Sequence, residues 1–180
     1  LGAVAQVEGV DSFEAVAVED AVVGDVIFGA EPEYKEILGI SPVGFKAINT
    51  DYQLDLQGFE KVGRQVETLV PRCKKMFLEL RNSLSANHNL LAAVLYSDNT
   101  LKHTGIYDIA HEVDRVGTGD AFVGGLIYGL LTYPNDDQKA LNFALAASCL
   151  KNTFCGDFNL ATVAEVEALM NGDASGRVQR

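Results

Sequence analysis

The chain has 180 residues, with 25 acidic and 14 basic side chains and a formal net charge of −11. That length suits one domain or a large piece of one. A hydrophobic content of 48% supplies a core and excludes global disorder. The acidic balance argues against a nucleic acid or an anionic membrane as a partner held by overall charge. No apolar run reaches the roughly 18 residues of a membrane span, and the N-terminus, which begins at Leu1, shows no secretory signal. Cys73, Cys149 and Cys155 form no CxxC pair, so free thiols in a reducing cytosol are expected.

In chain order, Asp11 to Gly24 alternates Val and Ala and fits helix or strand equally. Asp25-Val26-Ile27-Phe28-Gly29 suits a buried strand. Pro32 to Leu38 predicts a helix with Pro in its first turn and Gly39 as its stop. Gly39 to Gly58 is loop-like. Phe59, Val62, Val66 and Leu69 then recur at helical spacing, and Pro71 ends that helix. Met76 to Leu80 is a strand, and the polar stretch Arg81 to Asn89 reads as a loop. Leu90 to Tyr96 and Leu101 to Tyr107 flank the turn Ser97-Asp98-Asn99-Thr100 and predict a hairpin.

The last third is helical. An apolar helix from Ala121 to Leu131 is interrupted by Gly124, Gly125 and Gly129, and Gly124 and Gly125 are expected to answer the close approach of a neighbouring strand. A second helix starts from Asp136 or Asp137 and runs to Lys151. Thr162 and Glu165 form a capping box for a third, ending near Gly172. Residues 173–180 read as a frayed tail. Strands alternating with helices predict an α/β fold with a largely parallel sheet, a single unit over residues 1–180.

The chemically informative segment is Asp114-Arg115-Val116-Gly117-Thr118-Gly119-Asp120-Ala121-Phe122. Two glycines open the backbone just ahead of an apolar helix. Their N–H groups would crowd at a helix N-terminus, which attracts anions. Asp120 follows in the first helical turn. A carboxylate beside an anion hole suits a general base that takes a proton from a hydroxyl as a phosphoryl group arrives. The bland alternative is a Gly turn followed by an ordinary first-turn Asp. A dinucleotide fingerprint fails because Phe122 replaces its third Gly, and a P-loop fails because no Gly-Lys-Ser/Thr follows. His88, His103 and His111 show no ligand spacing. Arg72, Lys74 and Lys75 read as a solvated strand entry.

This nine-residue signature resembles that of the ribokinase-like (PfkB-type) carbohydrate kinases. Asp114-Arg115-Val116 with Gly125 to Leu131 is most similar to the 2-keto-3-deoxygluconate kinases. Leu80 to Ser83, Ser85 to Asn89, Lys151 to Thr153 and Gly156 to Asn159 extend the likeness, which spans about residues 25–170. The resemblance implies a ribokinase-like fold, three layers of helix, sheet and helix, with the N-terminal half and lid absent. It implies phosphorylation of a sugar hydroxyl by ATP with Mg²⁺, most closely the 6-hydroxyl of 2-keto-3-deoxygluconate. Fructose, ribose or a nucleoside are the alternatives, as is a nucleotide-binding piece that does not catalyse.

By the same resemblance, Asp120 is the base, and the N–H groups of Gly117, Thr118 and Gly119 form the anion hole. Asp120 and Arg115 face the sugar. Arg81, Asn82, Ser83 and Asn87 lie over the nucleotide, and Asn152 and Gly156 border adenine. Asp114 orients the loop and in some relatives helps hold a monovalent cation. Glu33 matches the acidic end of an Asn-x-x-Glu element that works through magnesium, with Ala30 where that element has Asn. A cytoplasmic protein that oligomerises with copies of itself when complete, and a 180-residue piece inactive alone, are the remaining expectations.

Overall fold

The computed structural model describes residues 15–17, 25–30, 34, 35, 38–40, 48 and 51–172. Glu33, most of the expected 32–38 helix, residues 41–47 and the 173–180 tail lie outside them. The described residues fall into two compact units. One takes the chain up to Leu80 with Val94–His103, and the other takes Arg81–Ala93 with the chain from Thr104 onward.

The first unit contains strands β1 (Ala15–Ala17) and β2 (Val26–Ala30), helix α1 (Leu56–Leu69), the start of β3 (Lys75–Ser85), the end of β4 (His88–Ser97), and β5 (Thr100–His103). The strand order is β1-β2-β3-β4-β5. The sheet is mixed. β1 and β3 both run parallel to β2, in the registers Ala15↔Val26 and Val26↔Lys75, while β5 returns antiparallel, Val94↔His103. The β4–β5 turn places Asp98 and Asn99 at φ of 48° and 56°, the left-handed pair that a tight hairpin needs. Gly39 takes the conformation of the helix stop that its sequence predicts, with φ of 68°, and its N–H donates to the Lys35 carbonyl at 3.1 Å.

Helix α1 begins three residues earlier than periodicity suggests, because Asp55 caps it by accepting from the Gly58 N–H at 2.9 Å. Its buried face is Phe59, Val62 and Val66, whereas Leu69 is 56% exposed and not part of the core. Gly63 lies against the Tyr96 ring, leaving no room for a Cβ. The Tyr96 hydroxyl is carried on to Glu67 and Asn99, 3.3 Å from each.

The second unit holds the end of β3, the start of β4, β6 (Tyr107–Ile109) and three helices: α2 (Thr118–Thr132), α3 (Asp137–Lys151) and α4 (Val163–Met170). The expected 81–89 loop is a correction. Residues 81–85 continue β3, only Ala86 and Asn87 turn, and β4 begins at His88. Residues 83–87 are exposed, which explains their polar, loop-like composition. The expected return strand 101–107 is broken as well. Ala92 and Ala93 oppose Thr104, Gly105 and Ile106, where Thr104 bonds both ways with Ala93, before β6 pairs Leu91↔Tyr107.

Helices α2 and α3 pack through small residues. A Cβ on Gly125 would lie 2.9 Å from Ala147 Cβ, and one on Gly129 would lie 2.8 Å from Ala140 Cα. The neighbour demanding these glycines is therefore helix α3, not a strand, and Gly124 meets nothing within 4 Å. Phe143 stacks on Tyr128 at 4.8 Å and joins Ala146, Ala147 and Val166 in the α3–α4 core. Asp136 caps α3 and the Thr162–Glu165 capping box starts α4, as the sequence predicts. Among the described residues no helix is long and apolar enough to cross a membrane.

Candidate active site

The start of α2 is built by a chain of contacts within the second unit. Gly117 is the N-cap and takes φ of 78°, ψ of 7°, with no side-chain cap. The helix opens at once, Ala121 N–H donating to the Gly117 carbonyl at 2.9 Å. Thr118 is buried. Its hydroxyl donates to the Arg115 carbonyl at 2.9 Å and accepts from Arg81 Nη2 at 2.9 Å. Arg81 is held in turn by Glu112, whose carboxylate lies 3.8 Å from Nη1 and is only 5% exposed. Asn89 donates to that same carboxylate and accepts from the Ser83 hydroxyl at 2.6 Å. Arg81 thus braces the turn ahead of α2 from the side, its fork shared between a hydroxyl and a buried carboxylate.

Of the N–H groups expected to form an anion hole, that of Thr118 turns back on the Arg115 carbonyl at 3.3 Å. Gly119 and Asp120 are exposed in the first turn, where helix N–H groups have no carbonyl one turn back. A Cβ on Gly119 would meet nothing within 4 Å. The opposite holds at Gly117, where it would fall on the Asp157 carbonyl oxygen. The 154–158 segment therefore lies directly against the N-cap.

Asp114 ties that segment down. One carboxylate oxygen accepts from the Val116 N–H at 3.0 Å and the other from the Gly156 N–H at 2.8 Å. These two backbone donors hold its carboxyl below the usual carboxylate range, with the Lys151 charge adding to them. Val113 N–H donates to the Asn152 carbonyl at 2.8 Å, a second tie between the two loops. The Asn152 side chain folds back, donating to the Ser148 carbonyl at 2.8 Å, and its buried Oδ1 has no partner among the described residues. Gly156 is exposed at φ of 86°. Arg115 is exposed, and Asn87 accepts from Ser85 at the hairpin turn.

A cavity of about 440 Å³ opens beside the α2 N-terminus. Gly117, Asp120 and Asp157 form its polar end, and Gly124, Tyr128, Phe143, Ala147, Phe158 and Val166 its apolar body. Gly124 keeps the wall low, and the 81%-exposed Phe158 stands at its rim. A pocket with a carboxylate and a helix N-terminus at one end and an aromatic body at the other can hold a planar apolar group and an anion together. Among the described residues no group of three or more His, Cys, Asp or Glu side chains is placed to hold a metal ion.

Sequence reasoning brought Gly117, Thr118, Gly119, Asp120, Asp114, Asn152 and Gly156 to one place. Arg81 and Ser83 reach it only as supports. Glu112 carries no sequence signal, and Asp157 and Lys151 enter the sequence reading only within the wider likeness, with no role assigned. Each is an isolated polar residue whose significance depends on a partner distant in sequence or on the fold of a loop.

The family model for pfkB family carbohydrate kinase matches residues 92–155. The chain is similar to 2-dehydro-3-deoxygalactonokinase of Haloferax volcanii, with 39% identity over 64 residues, 36% of this chain and 20% of that protein. It is similar to the crystal structure of 2-dehydro-3-deoxygluconokinase from Thermotoga maritima, with a TM-score of 0.73 and 35% identity over 85% of this chain and 44% of that one. The ribokinase structure from Thermotoga maritima matches with a TM-score of 0.60 and 18% identity, over 91% of this chain and 50% of that one, a likeness of fold. The fold is thus α/β and ribokinase-like, and the chain spans half or less of the length of each of these relatives.

Proposed function

We propose that the chain carries the nucleotide site and catalytic base of an ATP-dependent sugar kinase acting on a 2-keto-3-deoxy sugar acid, with the 6-hydroxyl of 2-keto-3-deoxygluconate as acceptor. The observation that carries this reading is the exposed Asp120 carboxylate in the first turn of a helix that opens on Gly117-Thr118-Gly119. The helix N-terminus stabilises the phosphoryl group as negative charge builds on it, while Asp120 accepts the sugar hydroxyl's proton. The 440 Å³ cavity takes the nucleobase on its aromatic body, which leaves the phosphates at the Gly117 end. Magnesium neutralises phosphate charge when bound with ATP. The described residues offer it no protein cage, and Glu33 lies outside them.

The names of the Haloferax and Thermotoga relatives favour two epimeric acceptors, the galactonate and the gluconate. The complete protein, assayed with ATP and Mg²⁺ against both acids, ribose, fructose and a nucleoside, tests the choice. Asp120→Asn keeps size and removes basicity. It should lower turnover by at least roughly 100-fold with the Michaelis constant for ATP little changed. Near-normal turnover in that variant would sink the assignment of the base.

A further inference from the structure

Lys151, the last residue of α3, is fully buried, which is unusual for an ammonium group. Its Nζ donates to the Phe154 carbonyl at 3.1 Å and to the Asp114 carbonyl at 3.4 Å. These carbonyls belong to the two loops that meet at the α2 N-terminus, one leading into Gly117 and the other lying over it. A monovalent cation near Asp114 is what the family resemblance implies, and such an ion requires several free oxygens. The oxygens of Asp114 and Phe154 are already engaged, which leaves the buried Asn152 Oδ1 as the one unpartnered buried side-chain oxygen among the described residues, a single ligand and not a cage. Both carboxylate oxygens of Asp114 accept backbone N–H groups, and the Asp114 and Phe154 carbonyls face Lys151. The residues present do not fit a bound monovalent ion.

We propose that the Lys151 ammonium is a built-in cation that holds the 113–117 and 153–157 loops together, so that this protein works without a monovalent metal ion. The charge comes with the helix and needs no concentration of salt. Lys151 touches no reacting group. It is a positioning residue that acts through the two loops on the N-cap of α2 and the cavity wall at Asp157. The effect on turnover rests on the kinase reading, whereas the effect on loop stability does not.

The test compares potassium, ammonium and tetramethylammonium chlorides at equal ionic strength on the complete protein, by melting temperature and by turnover. The wild type should melt at one temperature in all three and turn over at rates within about twofold of one another, since a site already filled gains nothing from added ligand. Lys151→Ala leaves two part-buried carbonyls without a donor and should melt roughly 5 °C lower. About 100 mM potassium or ammonium should restore part of that loss by occupying the vacated space, with tetramethylammonium too large to do so. Potassium that raises the wild-type melting temperature or activates it severalfold overturns the proposal. So does a Lys151→Ala protein equally weakened in all three salts, which would make Lys151 a packing residue. If Lys151→Ala does not fold, the wild-type comparison decides alone. A wild type that melts as expected yet phosphorylates no sugar refutes the kinase reading and leaves the built-in cation standing.

Discussion

Gly117 and Gly119 stand two residues apart in one motif, and the structure assigns them opposite duties. At Gly117 an alanine must hold φ near 78°, a left-handed conformation that costs an L-residue about 1 kcal/mol. Its Cβ also falls on the Asp157 carbonyl and 2.7 Å from Asp157 Oδ1, so backbone must move. Overpacking of that kind adds roughly 1–3 kcal/mol. Gly117→Ala should therefore lose about 2–4 kcal/mol, or roughly 5–15 °C in melting temperature. At Gly119 the backbone is helical and the added methyl meets no atom within 4 Å. Helix propensity then favours Ala by up to about 1 kcal/mol, so Gly119→Ala should melt at or slightly above the wild type. On the proposed kinase function its methyl stands in the path of a phosphoryl group toward the first-turn N–H groups, and turnover should fall by at least roughly tenfold, about 1.4 kcal/mol of barrier. Calorimetry and a coupled ADP-release assay on the same preparations measure both axes. Equal loss of stability in the two variants would refute the packing argument. Full turnover in Gly119→Ala would refute the need for close backbone approach.

Two further outcomes are expected. Gly129→Ala drives a Cβ to 2.8 Å from Ala140 Cα and should destabilise by about 1–2 kcal/mol despite its better propensity, whereas Gly124→Ala has open space and should stabilise by roughly 0.5–1 kcal/mol; denaturant midpoints moving in the same direction would contradict the α2–α3 packing. Burial raises the Cys73 thiol to about 11, so between its unfolded value of 9.0 and that pH the folded state keeps a proton that the unfolded chain has lost, and stability drops as pH rises through the window. Cys73→Ala should narrow its stability gap to the wild type by roughly 1–2 kcal/mol from pH 8 to pH 10.5, and a gap constant with pH would show that the thiol is not buried as described.

What was legible in the sequence was local. Thr162 and Glu165 cap α4, and Asp136 caps α3, because both motifs are satisfied within four residues. Asp98-Asn99 announces its turn because these residues tolerate positive φ. Ala86-Asn87 announces nothing: neither takes positive φ, and the strand ends around it are wetted on both faces. The glycines of α2 were recognisable as costly, but the surface demanding them could not be read from α2 alone. Its partner is a row of alanines spaced along α3. The Gly-Thr-Gly-Asp start of the helix was legible as a candidate site. The parts that stiffen it were not, since Arg81 and Glu112 are 31 positions apart in the chain and Lys151 becomes meaningful only when its ammonium meets two carbonyls.

Neither compact unit is a contiguous stretch of chain. The first is left at Leu80, re-entered at Val94 and left again at His103, and the second contains the intervening 81–93 segment. During synthesis the first unit lacks its last strand until residue 103 has emerged, by which point part of the second is already made. Contacts that span such separations close slowly. A gene cut after residue 80 or after residue 93 would encode no whole unit on its N-terminal side, and His103 is the first boundary at which that unit's described elements are all present. Thr104, which bonds to Ala93, begins the return into the second unit, so a break in the chain there would leave the 81–93 segment covalently joined to the first unit and severed from the rest of its own.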